Sequence, residues 1–196
     1  MNNLISAADI KRLTTVSENA SDKKLAQAVP DAEQMHLRPL LGSDLYTELL
    51  ALVATAPEPP VTTGLSAAAE AQATATYQAA LDTWRTANAS PLLTLWNAVK
   101  PCLAQWALVE AWPALLVHVE EAGVNVKTGN ANGTTQADAA LLGQVWQSHR
   151  AKAIWRGDEL VSWLESKKND YAAYRSIQPL PSGRQPIDYC GGISLD

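Results

Sequence analysis

The run from Ser90 to Gly123 limits what this chain can fold into more than any other stretch. Leu92, Leu95, Trp96, Val99, Leu103, Trp106, Leu108, Trp112, Leu115, Leu116 and Val119 recur there at three- and four-residue steps, which is helical spacing. Asn97, Lys100, Gln105 and Glu110 are too few to make a wide wet face. A helix that is apolar around most of its girth has to be packed by others on several sides. Ser90-Pro91 suits its start, because a hydroxyl accepts first-turn amide protons and proline lacks an N–H that would go unpaired. Pro101 and Pro113 each remove a backbone hydrogen bond and are expected to bend the helix. Gly123 is the expected stop.

A membrane span of this length is disfavoured. Gln105, Glu110 and His118 fall between Cys102 and Val119, and an ionisable residue at bilayer depth costs at least ~2.5 kcal/mol. No Lys/Arg cluster is there to orient a span. The stretch reads as the central helix of a soluble bundle. A chain of 196 residues fits one domain with a small appendage, and folding at this size hides ~70% of the extended chain's surface.

The elements before the central helix follow from local signals. Ser6 and Asp9 have the spacing of a capping box, flanked by Ile5 and Ile10 as a hydrophobic staple, so a first helix is expected to run to about Leu13. A polar turn, Thr14 to Ser21, leads to a second helix with Leu25, Ala28, Val29, Ala32 and Met35 on one face. Pro30 lies inside it and calls for a kink or a restart. After the turn at Gly42, Ser43 is expected to cap a third helix striped by Leu45, Tyr46, Leu49, Leu50 and Val53. Thr55 to Gly64 is a proline-rich linker. The alanine-rich helix from about Ser66 to Ala87 carries only Tyr77, Leu81 and Trp84 as large apolar groups, so it packs by one edge.

Beyond the central helix, the Gly/Asn-rich residues 124–135 read as a loop or small hairpin. Thr135 and Asp138 have capping-box spacing before a long last helix. That helix carries Leu141, Leu142, Val145, Trp146, His149, Ala153, Ile154, Leu160, Val161 and Leu164, and Gly157 is its weak point. Residues 177–196 hold three prolines and three glycines and cannot be regular structure. Yet Ile177, Leu180, Ile187, Tyr189 and Ile193 are spaced apolar anchors, so this C-terminal arm is expected to lie on a partner, a second copy or its own domain. The fold class is therefore all-α: a helical bundle around a long central helix, with a small loop or hairpin and an extended arm.

Chemistry is sparse. The net charge of -5 and the absence of a basic block exclude wrapping nucleic acid as the main task. Cys102 and Cys190 are too few and too distant for a disulfide framework or a metal site, and both are expected reduced. The first residues lack the apolar core of a signal peptide, so secretion is not expected. His36, His118 and His149 are far apart, and Glu120-Glu121 and Asp158-Glu159 read as solvated pairs. No phosphate loop, nucleophile elbow or metal-ligand motif occurs. Seven tryptophans and five tyrosines, with no phenylalanine, point to packing and subunit contacts, because a buried indole N–H wants a partner. No catalytic residue, cofactor or metal site is expected, and an enzyme is the poorer reading.

The opening also resembles tailed-phage head–tail connector (adaptor) proteins. Ile10-Lys11, then Asp22 and Leu25, then the corner of Leu37, Pro39, Leu40, Leu41 and Gly42 followed by Leu45 and Tyr46, stand where that family has them. Val99-Lys100-Pro101-Cys102-Leu103, Gly123-Val124 and Asp170-Tyr171 with Tyr174 look like the pattern of its longer phage relatives. The likeness covers residues 4–175, with the linker and alanine-rich helix looking like an insertion, and its motifs are structural rather than catalytic. It implies a structural virion protein of the neck, assembled in the bacterial cytoplasm. Its copies would form a homo-oligomeric ring, a dodecamer matching the portal, that extends the DNA channel toward the tail without binding DNA specifically. The arm would dock on the portal, and the opposite face on a tail or neck protein. A tail-completion or stopper protein and a stand-alone helical interaction module are the alternatives.

Overall fold

The computed structural model describes residues 3–58, 60, 64, 66–120, 123–126 and 139–175. The chain forms α1 (Ala7–Leu13), α2 (Asp22–Ala32), a π-helical turn (Glu33–Leu37), α3 (Arg38–Leu41), α4 (Ser43–Val53), α5 (Ala67–Ala87) and α6 (Pro91–Leu116). A short hairpin, β1 (Val117–Glu120) and β2 (Gly123–Val126), then leads to α7 (Ala139–Ser166) and a closing 3-10 turn. The architecture is the expected all-α bundle around a long central helix.

That helix is α6. Between Leu95 and Trp112 only Asn97 is exposed. α1, α2, α4, the π turn and α7 all pack against it. Leu95, Val99, Leu103, Ala104, Ala107 and Leu108 are wholly out of solvent. Fully burying a leucine or valine side chain is worth ~1.5–3 kcal/mol, so this seam is the main source of stability. Both internal prolines are accommodated within it. The helix does not reach Gly123, however. It ends at Leu116, and Val117–Glu120 pairs antiparallel with Gly123–Val126, Val117 opposite Val126 and Glu120 opposite Gly123. Pro113 has already removed a hydrogen bond from the last turns, and Val117 and Val119 are β-branched residues that favour a strand. The hairpin thus starts ahead of the expected span of 124–135 and overlaps it at 124–126, while residues 127–135 lie outside the described residues.

The N-terminal half follows its caps. The Ser6 hydroxyl accepts the Asp9 N–H at 3.2 Å, and the Asp9 carboxylate accepts the Ser6 N–H at 3.1 Å. Ile5 and Ile10 are both buried. Lys11 reaches across the polar turn to the Glu18 carbonyl and the Asp22 carboxylate, fastening α1 to the start of α2. Ser43 does not cap α4. The N-cap is Gly42, whose φ of 80° lets the chain turn without a side chain to strain it.

α2 continues through Pro30 without a restart. The irregularity comes later, where the helix widens to a π turn and the Arg38 N–H reaches back to the Glu33 carbonyl. Pro39 follows directly, and its ring cannot come as close to the carbonyl four residues back as α geometry demands. One extra residue shifts the buried stripe. After Leu25, Ala28, Val29 and Ala32 it resumes at Leu37 and Leu41, while Met35, expected on this face, is 54% exposed.

The widened turn also points Glu33 inward, where it is 5% exposed. Its carboxylate accepts the Leu4 N–H at 2.7 Å and the Tyr46 hydroxyl at 3.0 Å. Trp96 of α6 donates its indole N–H to the Leu4 carbonyl at 2.9 Å. One backbone residue is therefore held at both its polar atoms by side chains from different helices. α5 packs by one edge, through Leu81, Trp84 and half-buried Tyr77. Trp84 meets Trp96 edge-on at 5.6 Å and donates to Thr55 at 3.0 Å.

Two tests follow. A methyl group at Gly157 in α7 would lie 3.6 Å from Leu40 Cδ1, an ordinary contact. Gly157→Ala is therefore expected to stabilise the fold by about 0.5–1 kcal/mol in urea titrations. Burial, the main influence, raises the Glu33 pKa above its ordinary 4.5, against the opposing Leu4 and Tyr46 hydrogen bonds. A raised folded-state pKa gives stability that is full below the unfolded value and is lost as pH rises through the folded value. Unfolding free energies of the wild type and Glu33→Gln, compared between pH 4 and 8, should therefore move against the wild type as pH rises. A difference that stays flat contradicts a costly buried carboxylate.

Candidate interaction surface

α7 has two unlike sides. His149, Ala153, Gly157, Leu160 and Leu164 form its buried stripe, at steps of three and four residues. Trp155, two residues past Ala153 and so on the far side of a 100°-per-residue helix, is 57% exposed, and Ile154 beside it is 43% exposed. Ile154, one of the apolar residues expected along this helix, points outward because its position is a full step off the stripe. The Arg156 guanidinium lies 4.7 Å from the Trp155 ring and pairs with Glu159 at 2.7 Å. An apolar pair rimmed by charge is the composition of a contact patch.

With Met35, these are the large apolar side chains that stand exposed among the described residues. They occupy two elements, the π turn and α7. Next to Met35, His36 stacks on Trp106 with ring centroids 3.6 Å apart and an interplanar angle of 7°. The same imidazole meets the Glu110 carboxylate at 2.8 Å. Half-buried Trp106 and partly exposed Glu110 carry this second patch from the π turn onto α6. Lys24 donates to the Ala114 carbonyl near the end of α6 at 2.5 Å, so α2 also closes the helix terminus that Pro113 loosens.

Residues that could carry chemistry are separated. His149 lies against Gln105 at 3.2 Å and tilts over Trp112 at 4.9 Å. Burial, then Lys152, pushes its pKa down, in favour of the neutral imidazole. His36 is on another face of the bundle core, and His118 lies in β1. No group of three or more His, Cys, Asp or Glu among the described residues could hold a metal ion. Cys102 is buried under α7, and burial pushes its thiol up to about 12, far from thiolate chemistry. Asp158 and Glu159 are exposed, as expected. Among the described residues no helix is long and apolar enough to cross a membrane.

The arm residues Ile177, Leu180, Ile187, Tyr189 and Ile193 lie outside the described residues. The chain leaves the bundle through a built junction. The Tyr171 hydroxyl donates to the Pro91 carbonyl at 3.0 Å, and Tyr174 donates to Glu165 at 3.0 Å. Both rings are buried, and Trp163 sits 5.9 Å from Tyr171. The exit is thereby tied to the first residue of α6.

Nothing among the curated proteins or the solved structures matches the chain. Residues 37–183, from the end of the π turn past the last described helix and covering three quarters of the sequence, match one family model throughout. The chain belongs to that family, a family of unknown function designated DUF6712.

Proposed function

We propose that this protein is a structural subunit of a tailed-phage neck, a connector whose copies form a ring between portal and tail. The observation that carries the reading is the Ile154–Trp155 pair standing outward on α7, while the other large apolar side chains described on that helix are buried or half-buried. A buried indole removes some 150–250 Å² from water, so this site gains much from a neighbour. A ring interface is heterologous and needs two different adhesive faces. The Met35–His36–Trp106 patch supplies a second one, on a different element.

Composition supports the same reading. A net charge of -5 suits a channel through which DNA slides without being held. The residue pattern shared with connector proteins consists of fold-making positions. Ile10, Leu25, Leu37, Leu41 and Leu45 are core residues, and Lys11 and Tyr46 are fasteners. In this mechanism nothing is catalysed. Subunits bury their apolar edges against each other, arms grip the portal, and the free face receives the next tail component.

Mass photometry of the full chain with and without its portal tests the proposal. Wild-type chain is expected to form or join dodecameric rings. Trp155→Glu should weaken assembly by ~30-fold or more, the scale of a lost hot spot, with an unchanged thermal melt. Removing residues from Ile177 onward should leave the melt intact and abolish portal docking. A chain that stays monomeric with the portal present, or a Trp155→Glu variant that assembles like wild type, rejects the reading.

A further inference from the structure

The flank of α7 that faces α6 is not closed. Ala98, Pro101 and Cys102 of α6 and Arg156, Leu160 and Trp163 of α7 line a groove of about 210 Å³ between the two helices. It is mostly apolar, with Cys102 and Leu160 buried and Trp163 half-buried along it. Arg156 and Glu159, both partly in solvent, pair at its edge at 2.7 Å. The Arg156 guanidinium also lies over the exposed Trp155 ring, so the groove continues the outward patch of α7. A cavity of ~150 Å³ already admits benzene, so this groove has room for a branched aliphatic side chain.

The chain's own end leaves on the other flank. Tyr171 packs on Trp163, but Tyr174 then donates to Glu165, and Arg175 reaches Asp44 of α4 at 3.6 Å. Trp163 and Glu165 are two positions apart on α7 and so point ~200° apart around its axis. The last described residues have thus passed round the end of α7, away from the groove. Ile177 is two residues beyond Arg175 and extends at most ~7 Å further, less than the ~10 Å width of a helix with its side chains. One flank of α7 therefore sends out the arm, and the opposite flank holds the groove. That is the arrangement of a head-to-tail contact, in which two different surfaces of a subunit meet their counterparts on two neighbours.

We propose that the groove receives the first arm segment, residues 177–181, of a second copy of this chain. The proposal rests on the connector reading above and names the partner of one of its faces. Gln178-Pro179-Leu180-Pro181 is held extended, because proline fixes its own φ and bars the residue before it from helical geometry. Such a segment loses little freedom on docking and suits an aromatic-lined groove. Its prolines also bring no N–H that docking would leave unpaired. Ile177 and Leu180 are one turn of the extended helix apart, so both face one side at a spacing of about 9 Å. Leu180 fills the groove against Leu160 and Trp163, and Ile177 covers the apolar surface beside it. The family match runs to residue 183, so it includes this segment and leaves out residues 184–196, which stay free for the portal.

Photo-cross-linking of the full chain decides. Leu180→p-benzoylphenylalanine places a photoreactive group in the arm. That chain, unlabelled, is mixed in equal parts with wild type carrying heavy isotopes, combined with the portal and irradiated, and the joined peptides are mapped by mass spectrometry. The unlabelled arm is expected to join heavy peptides that carry residues 98–102 or 156–163. Ile177→Asp in the photoreactive chain should reduce those mixed products at least about tenfold, the scale of a lost anchor. Ala98→Glu in the heavy chain should do the same with an unchanged thermal melt. Products confined to unlabelled chains, products on other surfaces, or none at all overturn the proposal. Ring formation is read separately by mass photometry. Mixed products from chains that form no ring keep this contact and reject the connector; rings without mixed products keep the connector and reject this contact.

Discussion

A helix with no wet side cannot stop at one neighbour. α6 has a single exposed residue between Leu95 and Trp112, so the rest of the chain must supply cover around its whole circumference. α2 and α7 provide broad contacts, and α1, α4 and the π turn fill the remaining arc. The order of elements follows from this demand. α1, α2, α4 and α7 pack on α6 directly, and α5 touches the core through a few large side chains only. Burial on this scale sets the stability, but it also forces every polar atom along α6 to be answered locally. Trp96 finds the Leu4 carbonyl and Gln105 finds His149. Among the described residues, the Trp112 indole N–H is the buried side-chain polar atom with no partner.

Glu33 shows how such a core acquires a unique arrangement. Apolar packing tolerates small slides of one helix along another; a carboxylate with two fixed donors does not. By holding the Leu4 N–H and the Tyr46 hydroxyl, Glu33 locks the N-terminal segment, the π turn and α4 together, and Trp96 adds α6 through the Leu4 carbonyl. Removing one partner of such a group leaves donors buried and unpaired, at about 1–3 kcal/mol each. The raised Tyr46 pKa, pushed up to about 12 by burial and then by the Glu33 charge, marks the same contact from the other side. The π turn has a cost in helix regularity, and the position of Glu33 is what that irregularity produces.

Much of this was legible in the residue order, for a definite reason. Caps and turns are local, so Ser6 with Asp9, Ser66, Pro91 and Gly42 announced their elements. So did the unbroken apolar pattern of α6. What could not be read depended on register or on distant neighbours. The π turn inserts one residue, which moved Met35 out and Leu37 in. The end of α6 was a contest between helix periodicity and β-branched Val117 and Val119 that neither local signal decides alone. The outward face of α7 was missed because Ile154 counts as apolar wherever it points. Trp155, at an off-stripe position, was the available clue. Glu33 carried no pattern at all, since its partners Leu4 and Tyr46 are 29 and 13 residues away.

The two kinds of unsatisfied group in this molecule differ in what they imply. An exposed indole such as Trp155 costs little in the free subunit, because single apolar side chains are common on protein surfaces. It is informative only when its face meets something. The Trp112 indole is different, since among the described residues its N–H is buried with no partner, and that cost is present in the folded chain whether or not anything binds.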